Sequence, residues 1–113
     1  MLISILKSKI HMATVTDTLL NYEGSIAIDP VLLKAAGLLP GEKVHVLNFE
    51  NGSRLETYAI VGKNREISLR GPAARHGKVG DRVIILAYAL AAPAEAKKLK
   101  PKIIHVNEKN QIK

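Results

Sequence analysis

Short β-prone runs, cut apart again and again by turn residues, leave this chain little choice but a small β fold. Strands are predicted at Met12–Thr16, Ser25–Ile28, Lys43–Phe49, Arg54–Val61, Glu66–Leu69, Arg82–Leu90 and Lys102–Val106. Between the third and fourth stands Asn51-Gly52, a pair that suits a tight hairpin because both residues tolerate positive φ. Val83–Ala87 is continuously apolar, as expected of a buried strand. Helices are few. Asp29-Pro30 supplies an N-cap and a first-turn proline, Val31–Ala36 follows, and Gly37 is a natural stop. One helical turn is expected within Gly71–Gly77 and a short terminal helix at Pro93–Leu99, with turns at Pro40-Gly41 and Gly80-Asp81. No internal repeat is evident. The pattern fits a small β-barrel with minor helices and leaves its topology open.

A chain of 113 residues makes one compact domain the natural expectation, residues 1–113 throughout. Aromatics are only 4% of it, so the core must be built from aliphatic side chains. The absence of Cys excludes disulfides and thiolate chemistry. No apolar run is long enough to span a membrane, and Met1–Lys9 is too short and too charged for a signal peptide. The expectation is a soluble cytoplasmic protein with no membrane partner. The net charge of +7 raises nucleic-acid binding as an alternative. Four of those excess charges lie in residues 93–113, however, and Tyr22, Phe49, Tyr58 and Tyr88 are scattered rather than interleaved with a basic patch. No nucleic-acid partner is expected. An uncut barrel serving as an interaction module is the other alternative.

A metal site is not expected. His11, His45, His76 and His105 form no pair at ligand spacing, and no Cys is present to help them. Neither a phosphate-binding loop nor a nucleophile elbow is found. Tyr22-Glu23-Gly24-Ser25 remains. A Gly-Ser pair usually marks only a turn. Here it lies between two strand-like segments and runs straight into an apolar stretch. Gly24 can adopt backbone conformations closed to other residues, and the Ser25 hydroxyl follows its carbonyl directly. Attack of Ser25 Oγ on that carbonyl would form an ester through an oxyanion that needs a hydrogen-bond donor. Taken alone, Arg54 and Tyr58 read as outward residues on one face of a strand and Lys9 as a surface charge.

Several strings occur together in order: Lys9-Ile10-His11, Ala13-Thr14-Val15-Thr16, Tyr22-Glu23-Gly24-Ser25 with Ile28-Asp29, Ala35-Ala36-Gly37, Asn51-Gly52, Arg54-Leu55-Glu56-Thr57-Tyr58, Gly71-Pro72-Ala73-Ala74-Arg75 and Val79-Gly80-Asp81. Along nearly its whole length the chain resembles bacterial aspartate α-decarboxylase, a pyruvoyl-dependent family. The resemblance implies a mainly β fold, a double-psi β-barrel with a few short helices, assembled as a homotetramer with active sites at subunit interfaces. It implies self-cleavage between Gly24 and Ser25 into residues 1–24 and 25–113, Ser25 becoming a covalent pyruvoyl cofactor. Thr57 matches the residue that hydrogen-bonds the Gly24 carbonyl during cleavage. The implied reaction takes L-aspartate to β-alanine and carbon dioxide, feeding pantothenate biosynthesis.

The same resemblance assigns carboxylate docking to Arg54, with Lys9 as supporting charge, and proton donation to the decarboxylated carbon to Tyr58. Thr57, Gly71, Pro72 and Ala73 match substrate-contacting positions, and His11 and Tyr22 pocket-lining ones. Two residues depart from the pattern. Arg70 stands where relatives commonly carry Asn, and Pro72 replaces a usual Ala, removing one backbone donor. Arg70 is therefore expected either to take over carboxylate binding or to swing out to solvent.

Overall fold

The computed structural model describes residues 1–113. Eight strands form one sheet: β1 (Ile3–Thr14), β2 (Asp17–Leu19), β3 (Ser25–Ile28), β4 (Lys43–Asn48), β5 (Arg54–Val61), β6 (Ile67–Arg70), β7 (Arg82–Ala91) and β8 (Lys102–His105). Their order is β2-β6-β3-β5-β4-β7-β1-β8. Because β2 continues β1 after only Val15 and Thr16, this order closes on itself. The Val15 amide donates to Asp81 O and the Thr16 amide to Ile67 O, each at 2.8 Å, joining the β7 side to β6 across the gap. The result is a ring of strands with β8 added outside β1, in agreement with the expected barrel-like, mainly β fold. Pairing is mixed: β1·β8, β2·β6 and β3·β5 run parallel, while β1·β7, β3·β6, β4·β5 and β4·β7 run antiparallel. Closing the ring removes most of the open edge that a flat sheet this size would present.

The inside is aliphatic, as the shortage of aromatics requires. Ile10, Ile26, Ile28, Leu32, Ile67, Leu69 and Ile85 are among its fully enclosed side chains. Helix α1 (Pro30–Ala36) seals one end with Leu32, Leu33 and Ala36. Asp29 caps it by accepting from the Val31 amide at 2.7 Å, and Gly37 ends it at φ +69°, its amide directed to Leu33 and Lys34 carbonyls. Asp29 does more than cap: its second oxygen accepts the Arg65 amide at 2.6 Å, tying the turn before β6 to the start of α1.

β3 and β5 match the expected strands residue for residue, and β4, β6, β7 and β8 differ only at their ends. Three expectations are corrected. The first strand begins at Ile3 rather than Met12, since Ser8 and Ile10 point into the core while Lys7 and Lys9 do not. Met12 itself is a bulge at φ +66°, near a register shift between Ile10 and Ala13, with its carbonyl held by Arg82 Nε at 3.0 Å. The β4–β5 connection is not a two-residue turn. Only Gly52 takes positive φ; Asn48 Oδ1 accepts the Glu50 and Asn51 amides and widens the loop to residues 49–53. The terminal helix α2 spans only Pro93–Ala96.

Candidate active site

Ser25 opens β3 and is 2% exposed. It lies opposite Arg70 in the antiparallel β3·β6 pairing. The loop before it is held down by β6's continuation, a 3-10 segment over Gly71–His76. Gly71 takes φ +65°, and a Cβ there would stand 2.5 Å from Tyr22 O, 2.7 Å from Gly24 N and 2.8 Å from Gly24 Cα. Only a residue without a side chain lets these backbones touch. A Cβ on Gly24 would in turn meet Pro72 Cδ at 3.3 Å. The Gly24-Ser25 peptide is thus clasped between Gly71-Pro72 on one side and the sheet on the other.

Two cavities open on this peptide and share Tyr58 as a wall. One, of about 240 Å³, is lined by Tyr22, Glu23, Ser25, Tyr58, Ile60 and Arg70. The other, of about 310 Å³, is lined by Gly24, Leu55, Glu56, Thr57, Tyr58, Pro72, Ala73 and His76. Tyr58 is on the outward face of β5 and 38% exposed, with Arg54 and Glu56 on the same face. The strand alternation that makes these residues look merely exposed also brings Tyr58 beside Ser25.

The structure therefore gathers Tyr22, Gly24, Ser25, Thr57, Tyr58, Arg70, Pro72 and Ala73 around one peptide, with Gly71 beneath it. It does not bring Lys9, His11 or Arg54 there. Arg54 lines a separate hollow with His45, Leu55 and Glu56. Lys9 and His11 are on β1, opposite Ile103 and His105 of β8. The His11 and His105 rings meet edge to face at 5.4 Å. Burial, followed by the charge of Lys9, holds the His11 pKa below its ordinary value, and its Nδ1 is enclosed without a partner.

Arg70 has not swung out to solvent. Its guanidinium lies 5.5 Å from the centre of the Tyr22 ring, and Nη2 donates to Glu66 Oε2 at 3.2 Å.

Sequence reasoning passed over Asn48, Glu66 and Asp81. Asn48 Nδ2 donates to Asp81 Oδ2 at 2.9 Å and to His76 O at 3.1 Å, so it fastens the hairpin loop to the end of the 3-10 segment that clasps Gly24. That hydrogen bond from Asn48 is the main reason the Asp81 pKa lies below the ordinary carboxylate value, against the opposing effect of burial. An Asn at a strand end and an Asp after Gly80 carry only turn signals in the sequence; their partnership spans 33 positions.

Residues 1–113 match the family described as aspartate decarboxylase. The chain belongs to the aspartate decarboxylase family. It is 54% identical to a protein of Carboxydothermus hydrogenoformans named aspartate 1-decarboxylase, over 99% of this chain and 90% of that one. A protein of the same name from Campylobacter hominis is 56% identical over 98% of this chain and 97% of its own length. One from Clostridium beijerinckii is 51% identical over the whole of this chain and 93% of its own. Aspartate decarboxylases are carboxy-lyases, so a family member's site needs a place for a dicarboxylic amino acid and a means of stabilising the electron pair left on its α-carbon. Among this chain's residues there is no cluster that could hold a metal ion. No helix is long and apolar enough to cross a membrane.

Proposed function

We propose that this member of the aspartate decarboxylase family decarboxylates L-aspartate to β-alanine, after cutting itself between Gly24 and Ser25 to generate its own pyruvoyl group. The observation that carries the reading is the clasped Gly24-Ser25 peptide: a serine only 2% exposed, facing a cavity, follows a glycine carbonyl whose backbone is held against Gly71 and Pro72. Thr57 and Tyr58 line the cavities that open on it.

Breaking the chain uses only its own atoms, and water enters in the last step. Ser25 Oγ adds to the Gly24 carbonyl carbon, with the Thr57 hydroxyl as the proposed donor to the oxyanion. The carbon–nitrogen bond breaks and an ester joins the two residues. Loss of the Ser25 α-proton then expels Gly24 as a carboxylate and leaves dehydroalanine at the new terminus. Water replaces its nitrogen, releasing ammonia and leaving a ketone in a pyruvoyl group. The site suits such a group because residue 25 is at a strand start, beside a cavity of about 240 Å³. When formed, the group supplies an electron sink for the pair left by departing carbon dioxide. Tyr58 stands in the same cavity, where its phenol O–H can return a proton to the substrate's α-carbon.

Lys9 and Arg54 lie away from Ser25 in their own chain, so their assigned roles require a second copy to bring them there, as in the homotetramer that the resemblance implies. The outward face of β5 and β7, with Tyr58 and Tyr88 exposed, is a suitable surface for that contact. β-Alanine made in this way would feed pantothenate synthesis.

Mass spectrometry of the purified protein should find fragments 1–24 and 25–113, the second with a terminal carbonyl that borohydride reduces. Ser25→Ala should stay whole and make no β-alanine, whereas Tyr58→Phe should cut itself and lose turnover by roughly a hundredfold or more. An intact wild-type chain that releases no β-alanine after prolonged warming would refute the proposal.

A further inference from the structure

Among the Lys and Arg residues of the chain, Arg70 alone lines either cavity that opens on Gly24-Ser25. It is also fixed there by an unusual division of labour in Glu66. Glu66 Oε1 accepts the Lys63 amide at 2.7 Å and so closes the turn ahead of β6. Oε2 alone is left for Arg70, and it accepts one N–H of Nη2 at 3.2 Å. The ion pair is therefore single-pronged. Nε is enclosed with no partner, and Nη1 has neither a protein partner nor full enclosure. The guanidinium also lies over the Tyr22 ring, 5.5 Å from its centre. Glu66 is itself anchored: its carbonyl accepts the Asp29 amide at 2.8 Å, and the Asp29 side chain accepts the neighbouring Arg65 amide. A guanidinium positioned from behind, with its outer end unspent, is a carboxylate receptor.

We propose that Arg70 is a further specificity-determining residue for the carboxylate that the substrate keeps, acting from within the chain that carries Ser25 and beside the Lys9 and Arg54 that neighbouring copies would bring, with Glu66 as its positioning residue. The proposal rests on the aspartate decarboxylase reading above. A cation held on the departing carboxylate would favour the ground state, where that group is charged, over the transition state, where its charge is leaving. The retained side-chain carboxylate keeps its charge throughout, so binding it strengthens substrate and transition state alike. Loss of Arg70 then raises KM and leaves kcat nearly unchanged. Specificity follows in the same way: a substrate analogue with a side-chain amide has no charge to offer the free end of the fork.

The test has two arms. In the first, succinate and its neutral diamide are titrated calorimetrically into the Ser25→Ala protein, whose cavity does not depend on cleavage. Succinate should bind more tightly than the diamide, and Arg70→Gln should weaken succinate by about tenfold or more while Arg70→Lys restores part of the loss. Equal binding of the two probes, or of succinate by the two proteins, overturns the proposal. In the second arm, self-cleaved Arg70→Gln should show KM for aspartate raised by about tenfold at nearly constant kcat, with Glu66→Gln showing a smaller rise. An unchanged KM, or a fall in kcat alone, overturns it as well. Should Arg70→Gln not cut itself, the first arm decides. A parent protein that binds succinate through Arg70 but makes no β-alanine would sink the decarboxylase reading and leave the receptor standing.

Discussion

Gly71 shows how one residue's missing side chain can shape the peptide proposed to cut itself. Its φ of +65° and the 2.5 Å approach that a Cβ would make to Tyr22 O hold the Tyr22–Gly24 loop against the 3-10 segment. Gly71→Ala should cost about 1–2 kcal/mol from the left-handed backbone alone, and more from the collision, which involves backbone atoms that cannot turn aside. The expected outcome is a lower urea midpoint and slower appearance of the 25–113 fragment, followed by mass. Normal stability and normal cleavage together would show that the clasp is not needed. Gly41 has positive φ too, yet nothing lies within 4 Å of its missing Cβ, so a comparison at that site separates backbone strain from close approach.

At the scale of elements, the hairpin loop between β4 and β5 and the 3-10 segment depend on one another through Asn48. All of its side-chain capacity is in use: Nδ2 to Asp81 and His76, Oδ1 to the Glu50 and Asn51 amides. Asn48→Ala should destabilise the fold by about 2–3 kcal/mol, because a buried carboxylate loses a donor. Asp81 keeps its bonds from the Lys78 amide and ammonium. Its pH signature has a definite sign. The folded pKa of Asp81 lies below its unfolded value, so its contribution is complete above the ordinary carboxylate pKa and fades as pH falls through the folded value. Asn48→Ala raises the folded pKa toward the unfolded one and removes part of that contribution. Acid unfolding followed by circular dichroism should therefore begin at higher pH in the variant; coincident acid transitions would contradict this account.

On the scale of the whole molecule, β1 is the long axis on which distant parts meet. Its middle pairs with β7 on one side and β8 on the other, and its end is clamped by Asn110, whose side chain bonds the Thr14 amide and carbonyl at 2.7 and 2.9 Å and Arg65 O at 3.0 Å. His11 is where this convergence has an electrostatic consequence. Burial first, then Lys9, His105, Lys113 and Arg82, favour its neutral form. With a folded pKa below the unfolded value of 6.5, the folded state binds fewer protons there, so stability falls as pH drops through 6.5 toward the folded pKa. His11→Gln should flatten the change in urea midpoint between about pH 7.5 and 5. An undiminished slope in the variant would assign it to other groups.

The sequence alone determined the β class, the residue limits of β3 and β5, and the capped helix between Asp29 and Gly37. These are local matters: strand period and cap geometry are written within a few residues, whereas Gly24-Ser25 stood out only through the chain's resemblance to its family. Closure of the sheet, the Asn48–Asp81 bond and the Gly71 clasp join positions far apart in the chain, so they exist only after folding. The hairpin was misjudged for the same reason, since Asn48's side chain and its distant partners, rather than Asn51-Gly52 alone, set the loop. Arg70 is the plainest case. Its sequence allowed either solvent or pocket, and the choice was made by Glu66 and Tyr22, which hold the guanidinium beside Ser25 once the turn ahead of β6 has closed.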